Sequence, residues 1–290
     1  METTARLRVV RPERDETWRA APPAPPHTPT VPGRRTPFGT RLHSRTAAAA
    51  ACLVLGLGLL GGAAAGSWLT GGGSDDGPHS AFAVTGGLWH SVPVDRLFPP
   101  VVQGPGAGPG GADRTWTRVA VAPDTGCRNA FDPLLARALA PLGCLRLLRA
   151  TYTDATRSHV TTVGLLFTRA DAAATSAVSR RFTRQKLDHR TDLIPRPYAA
   201  KGTVAQQFGD AQRASWTLSV LTDMPVVLYT VSGFADGRPV TDPQPAAAAM
   251  AAGATSAPAQ AGLGHEAAGL ADPIKAALSR TVDTATKESS

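Results

Sequence analysis

His265 and Glu266 open the stretch HEAAG, the beginning of the H-E-x-x-H pattern in which two His on one helical face grip zinc and the Glu acts as base. Gly269 stands where the second His is required, so that grip is missing. Serine chemistry of the hydrolase kind needs a G-x-S-x-G elbow, and none occurs. Ser158 and His159 are neighbours along the chain, which says nothing of nucleophile–base geometry, and His159 reads as the start of a strand. Asp188, His189 and Arg190 form the one cluster of titratable groups, in a polar loop that reads as a solvated turn. The glycines of QGPGAGPGGAD invite comparison with a phosphate-binding loop, but no strand is expected before them, no helix after them, and Pro alternates with Gly. These residues point to a protein that is not an enzyme, with no catalytic, cofactor or metal site.

Two other residue sets carry chemistry. Cys127 and Cys144 flank a short helical stretch, and outside the cytoplasm such a pair oxidises. Closing a loop of this size stabilises by about 3 kcal/mol in the chain-entropy model. A bridge needs Cα atoms about 5.5–6 Å apart, whereas the ends of a helix in a β-α-β unit are well separated. The expected helix is short, about 12 Å, and RNAFD can run back along it. The rival reading, a metal pair, lacks a His or third Cys at ligand spacing. The second set is basic: Arg180, Arg181, Arg184 and Lys186 lie off the apolar stripe of a second helix. Between residues 169 and 201 there are eight basic residues against Asp171, Asp188 and Asp192. Such a face is either plainly solvated or a site for anionic lipid headgroups or wall polymer. Nucleic acid is a poor match, because no aromatics are interleaved with the charges.

The elements that must position these groups follow from periodicity. WTRVAVAP reads as a strand, and Asp132-Pro133 as an N-cap with proline in the first turn of a helix that Pro141 ends. LRLLRATYTD and HVTTVGLLFT form a hairpin. Ala174, Ala177, Val178 and Phe182 recur as one face of the second helix. ASWTLSVLT and VVLYTVSGF are strands joined at Met224-Pro225. The order β-α-β-β-α-β-β predicts an α+β domain over 88–236, either a ferredoxin-like sandwich or an α+β roll. Residues 237–264 read as a low-complexity linker of small residues. Residues 265–290 hold a C-terminal helix and tail, with Asp272-Pro273 as its start and Ile274, Ala277, Leu278 and Val282 as its stripe.

Toward the N-terminus, residues 1–45 carry nine Arg against Glu2, Glu13, Asp15 and Glu16, and APPAPPHTPTVPG denies them regular structure. They read as a disordered basic, Pro-rich tail. Residues 46–69 are free of charge and long enough for a transmembrane helix. Leu53, Val54, Leu55, Leu57, Leu59 and Leu60 together favour insertion by about 2–4 kcal/mol. Arg before the run and Asp75 and Asp76 after it place the N-terminus in the cytoplasm. The competing reading is a cleaved signal peptide ending at Ala63-Ala64-Ala65. Residues 70–87 read as a flexible linker.

WTRVAVAPDTGC, GCLRLLRATYTD and VTTVGLLFTRADAAA resemble uncharacterised, single-pass, membrane-anchored proteins of actinobacteria that carry a Cys-containing extracytoplasmic α+β domain. The resemblance spans Trp89 to Phe234. It implies an architecture and a cell-surface location, and carries across no activity and no functional residue. The expectation is a membrane-anchored, extracytoplasmic interaction or accessory protein whose partners are the membrane, anionic lipid or wall polymer, and a protein. A ligand-sensing ectodomain is the alternative.

Overall fold

The computed structural model describes residues 78–289. The tail of 1–45, the expected membrane helix of 46–69 and the first part of the 70–87 linker lie outside the described residues. Among the described residues no helix is long and apolar enough to cross a membrane.

Two helices, α1 (Pro78–Ser91) and α2 (Val94–Leu97), lead into strands β1 (Val101–Gly104) and β2 (Arg114–Val121). Helix α3 (Pro133–Leu139) separates β2 from β3 (Cys144–Asp154), which turns into β4 (His159–Thr168). Helix α4 (Ala172–Gln185) and a long loop lead to β5 (Ser215–Val220) and β6 (Val226–Phe234). The chain closes with β7 (Gln244–Pro245), α5 (Ala246–Ala249), α6 (Ala257–Gln260) and the long helix α7 (Leu263–Ser289). This is an α+β domain built on a mixed seven-stranded sheet of order β1-β2-β3-β4-β6-β5-β7. Every pairing is antiparallel except that of β5 with β7.

The ferredoxin-like expectation is corrected in its first half. β6 lies between β4 and β5 and runs against both, so β4-α4-β5 is a split β-α-β unit. β2 and β3, which flank α3, are instead direct antiparallel neighbours. The reason is length. Seven residues of α3 span about 10 Å, too little to carry the chain along an eight-residue strand of about 27 Å. Val121 pairs with Ala150, so the start of β3 overhangs β2, and the 122–143 excursion leaves and returns at the same end of the sheet.

Strand alternation sends side chains into two cores. On one face Trp116, Tyr152, Val163, Leu165 and Phe167 pack against α1, α2 and α7, including Leu270, Ile274 and Leu278. On the other, Leu147, Leu166, Trp216, Val227 and Tyr229 meet α3, α4 and the long loop. Gly164 is a close-approach position: a Cβ there would lie 2.1 Å from the Tyr229 ring. On α4, Val178 and Phe182 are buried as the stripe predicts, but Ala177 faces solvent and Thr175 is buried in its place.

The domain is wider than 88–236. α1 occupies part of the expected 70–87 linker and buries Thr85 and Leu88. The 237–264 stretch is built structure: Ala246, Ala249 and Leu263 are buried. Small residues there permit backbone contact, since a Cβ on Gly264 would stand 2.9 Å from the Ala246 carbonyl oxygen and from Ala249 Cβ. Consequently α7 starts at Leu263, and Asp272-Pro273 sits inside it. Pro273 can make no hydrogen bond to the Gly269 carbonyl, a loss the packing of the helix on both sides tolerates. The stripe Ile274, Ala277, Leu278 and Val282 is buried.

Candidate functional site

The Cys127–Cys144 disulfide exists, with Cα atoms 6.2 Å apart. It closes because Cys144 opens β3 where that strand overhangs β2, and the loop before α3 doubles back to meet it. Left-handed Gly126 (φ 63°) and Asn129 (φ 51°) make the reversal. Asp124 Oδ1 accepts from the Gly126 amide and from Arg146 Nη1, both at 2.9 Å. The Gly126 amide is the chief reason that carboxyl is held below its ordinary value. Asp132 holds the N-cap position of α3 but makes no cap. Its carboxylate takes Arg196 Nε at 2.7 Å and Arg213 Nη1 at 2.9 Å. Burial alone would raise the Asp132 pKa, but the two guanidinium groups outweigh it and hold the value low. Beside the bridge is a cleft of about 260 Å³, lined by both cysteines, Ala130, Phe131, Leu139 and Leu166, with exposed Asn129, Ala136 and Ala140 at its edge.

The basic quartet divides. Arg180, Arg184 and Lys186 are exposed. Lys186 ends α4 in a left-handed conformation, φ 48°. Arg181 is half-buried and donates through Nη2 to the Ala138 carbonyl oxygen, tying α4 to α3, while its buried Nε has no hydrogen-bond partner. Two cations of the basic stretch are spent elsewhere: Arg190 pairs with Asp192, and Arg196 with Asp132. The solvent-facing patch is therefore smaller than the charge count of 169–201 implies.

Glu266, which the sequence offers only as part of a broken zinc pattern, has a buried role that the pattern does not reveal. It is fully buried in the first turn of α7. Trp116 Nε1 donates to Oε2 at 2.6 Å. Oε1 stands 3.4 Å from Arg114 Nε and 3.8 Å from His159 Nδ1, and these three atoms have no hydrogen-bond partner. His265 turns away, with Nδ1 3.1 Å from the Ala107 carbonyl oxygen. Gly269 explains the broken zinc pattern: a Cβ there would come within 2.8 Å of Ala107 Cβ and 3.0 Å of Trp116 Cη2. The sequence signal was only a lone Glu in an Ala- and Gly-rich helix, with its partner Trp116 150 residues away.

The remaining candidates stay apart. The Asp188 carbonyl oxygen accepts from Trp216 Nε1 at 2.8 Å, and His189 lies 3.5 Å from its carboxylate on an exposed turn. Ser158 meets Thr156, not the His159 ring. β1 does lead into the glycine run, contrary to expectation, but the run itself forms a 3-10 turn, and the Gly106 amide is taken by Asp113 Oδ1 at 2.8 Å. Gly104 serves packing, since a Cβ there would lie 2.5 Å from Trp116, whereas Gly106, Gly110 and Gly111 take left-handed turn conformations. Among the described residues no group of three or more His, Cys, Asp or Glu could hold a metal ion. Neither a protein-family model, a curated protein nor a solved structure matches this chain.

Proposed function

We propose that this chain is a non-catalytic interaction or accessory protein of the cell surface, anchored by residues 46–69 with its N-terminal tail in the cytoplasm and its α+β domain outside. In this reading the exposed face of Arg180, Arg184 and Lys186 meets anionic lipid headgroups. The observation that carries the location is the Cys127–Cys144 bridge, because disulfides persist in oxidising compartments. The charge asymmetry around 46–69 supports the orientation, and the resemblance to anchored actinobacterial proteins points the same way. The basic face is supported by its exposure and by the absence of an ion pair from these three residues to any described carboxylate.

Fractionation tests the location. The protein should partition with membranes and keep its tail, and protease added outside the cell should cut the domain but spare the tail. A soluble extracellular product beginning near Gly66 would overturn the anchor. The two thiols should alkylate only after reduction, and free thiols in the folded protein would remove the argument for export.

A further inference from the structure

We propose that a cleft over β2 and β3, at the margin of the second core, binds a sugar unit carrying one anionic group, a carboxylate or a phosphate, with Arg157 holding the anion. This site shares no residue with the basic face of α4, and it does not depend on the cellular location proposed above.

The cleft exists because the cover of the sheet runs out at β2. Thr117 and Thr153 are Cα partners and so share one face of the sheet. Thr153 is buried, whereas Thr117 is exposed, as is its Cα partner on β1, Val101. Val119 lies beside Thr117 on β2, Val204 comes from the long loop, and Asp154 and Arg157 come from the end of β3 and the turn after it. Together they line a cleft of about 490 Å³, within the roughly 300–1,000 Å³ of sites that take small molecules.

The lining residues set the chemistry. Asp154 and Arg157 are the two ionisable ones, and only the arginine is free. Asp154 Oδ2 accepts from the Thr156 amide at 3.1 Å and from the Thr156 hydroxyl, and Oδ1 accepts from the His159 amide at 2.8 Å. Arg157 is exposed and pairs with no described carboxylate. Its backbone is left-handed, φ 56°, a conformation that Gly or Asn takes more readily. The turn therefore gives no reason for an arginine at that place, and the cleft does: a guanidinium matches a carboxylate or phosphate with paired N–H donors. The Thr117 hydroxyl has no hydrogen-bond partner among the described residues and is free to donate and accept. The Thr153 hydroxyl donates to the His159 carbonyl oxygen at 2.9 Å and keeps an accepting lone pair. Val119 and Val204 add apolar surface. Hydroxyls beside methyl groups complement a pyranose, whose edges are polar and whose faces are C–H. No aromatic ring lines the cleft, so nothing there stacks a nucleobase.

The test titrates glucuronate, glucose 6-phosphate and glucose onto the purified full chain in neutral detergent, read by ligand-observed NMR. At least one of the anionic sugars should bind, about tenfold or more tighter than glucose, and which of them does so separates carboxylate from phosphate. Acetate and inorganic phosphate, which lack the ring, should bind more weakly than the matching sugar. Arg157→Gly should cost about tenfold or more in that affinity while leaving the melting temperature equal to the parent's or higher, because Gly relaxes the left-handed turn. Thr117→Trp, at an exposed position on the cleft floor, should block the sugar. Replacing Arg180, Arg184 and Lys186 with Gln should leave sugar binding as in the parent, and Arg157→Gly should leave any vesicle association as in the parent. The proposal is overturned if neither anionic sugar binds more tightly than glucose, if Arg157→Gly binds like the parent, or if the triple Gln variant is the one that loses the sugar. None of these results touches the basic-face reading, which stands or falls on vesicles alone.

Discussion

Glu266 is fully buried, and its neighbours Trp116, Arg114 and His159 set what that burial costs. Trp116 donates to it and the Arg114 guanidinium stands 3.4 Å away, which offsets part of the cost of burying a polar group. Glu266→Ala leaves the Trp116 indole without its acceptor and the Arg114 guanidinium without the nearby carboxylate. It should cost about 3–5 kcal/mol in chemical denaturation. Glu266→Gln keeps a side-chain oxygen for Trp116 and should cost clearly less. Equal losses would mean the charge, not the hydrogen bond, holds the helix. Acid stability turns on other residues. At Asp154 burial raises the pKa, but hydrogen bonds from Thr156 and the His159 amide outweigh it and hold the value low, as the Arg pair does for Asp132. For both, the folded pKa is below the unfolded one, so their stabilisation is complete above about pH 3.9 and is lost as pH falls through the lowered folded value. Asp132→Asn should therefore be destabilising at pH 7. Its deficit relative to the parent should shrink below about pH 4, as thermal melts across that range would show.

Helix α3 is positioned by what is attached to it more than by its own sequence. Seven residues make a helix of marginal intrinsic stability. It is held by the disulfide behind it, Arg181 on its last turn and the Arg196–Asp132–Arg213 network at its start. Cys127→Ser should lower stability by about 3 kcal/mol, and its effect should concentrate in faster hydrogen exchange over residues 122–143. Helix α7 shows the opposite case, a long element whose position depends on missing side chains. Gly269→His would complete the H-E-x-x-H pattern in sequence, yet its side chain must displace Trp116 or Ala107. It should cost about 1–3 kcal/mol through overpacking and add no zinc affinity. Tight zinc binding by that variant would show that the helix can rotate away from the sheet.

At the scale of the whole molecule, charge separates the two kinds of arginine the sequence places together. Replacing Arg180, Arg184 and Lys186 with Gln should change stability by no more than about 0.5 kcal/mol. It should also abolish the association with anionic vesicles proposed above, which in the parent should weaken as salt rises, because exposed charges are screened over about 8 Å at physiological ionic strength. Arg181→Gln should instead be destabilising by about 1–3 kcal/mol, since it strips a donor from a partly buried carbonyl. If the triple variant binds vesicles like the parent, the face is only solvated. If Arg181→Gln is neutral, its bond to Ala138 contributes nothing measurable.

Local patterns were readable without coordinates because they are written by neighbours. The β-rich runs of β3, β4 and β6, the alternation of Trp216, Leu218 and Val220 in β5, the buried face of α4 around Val178 and Phe182, and the stripe from Ile274 to Val282 all follow from short-range sequence. The cysteine pairing could be read too, from the expected oxidising compartment and the two residues' places around α3. What only the tertiary structure decided is which strands lie side by side and which polar groups meet. α3 is too short to cross the sheet, so β2 and β3 became antiparallel neighbours. The alanines of α5 read as a linker because their role is to let Gly264 approach, a contact invisible until both backbones are placed. Arg181 left the solvent patch for a carbonyl on another helix. Glu266 found Trp116 across 150 residues. Long-range pairing is chosen by the total burial of the folded chain, and no short window of residues contains that sum.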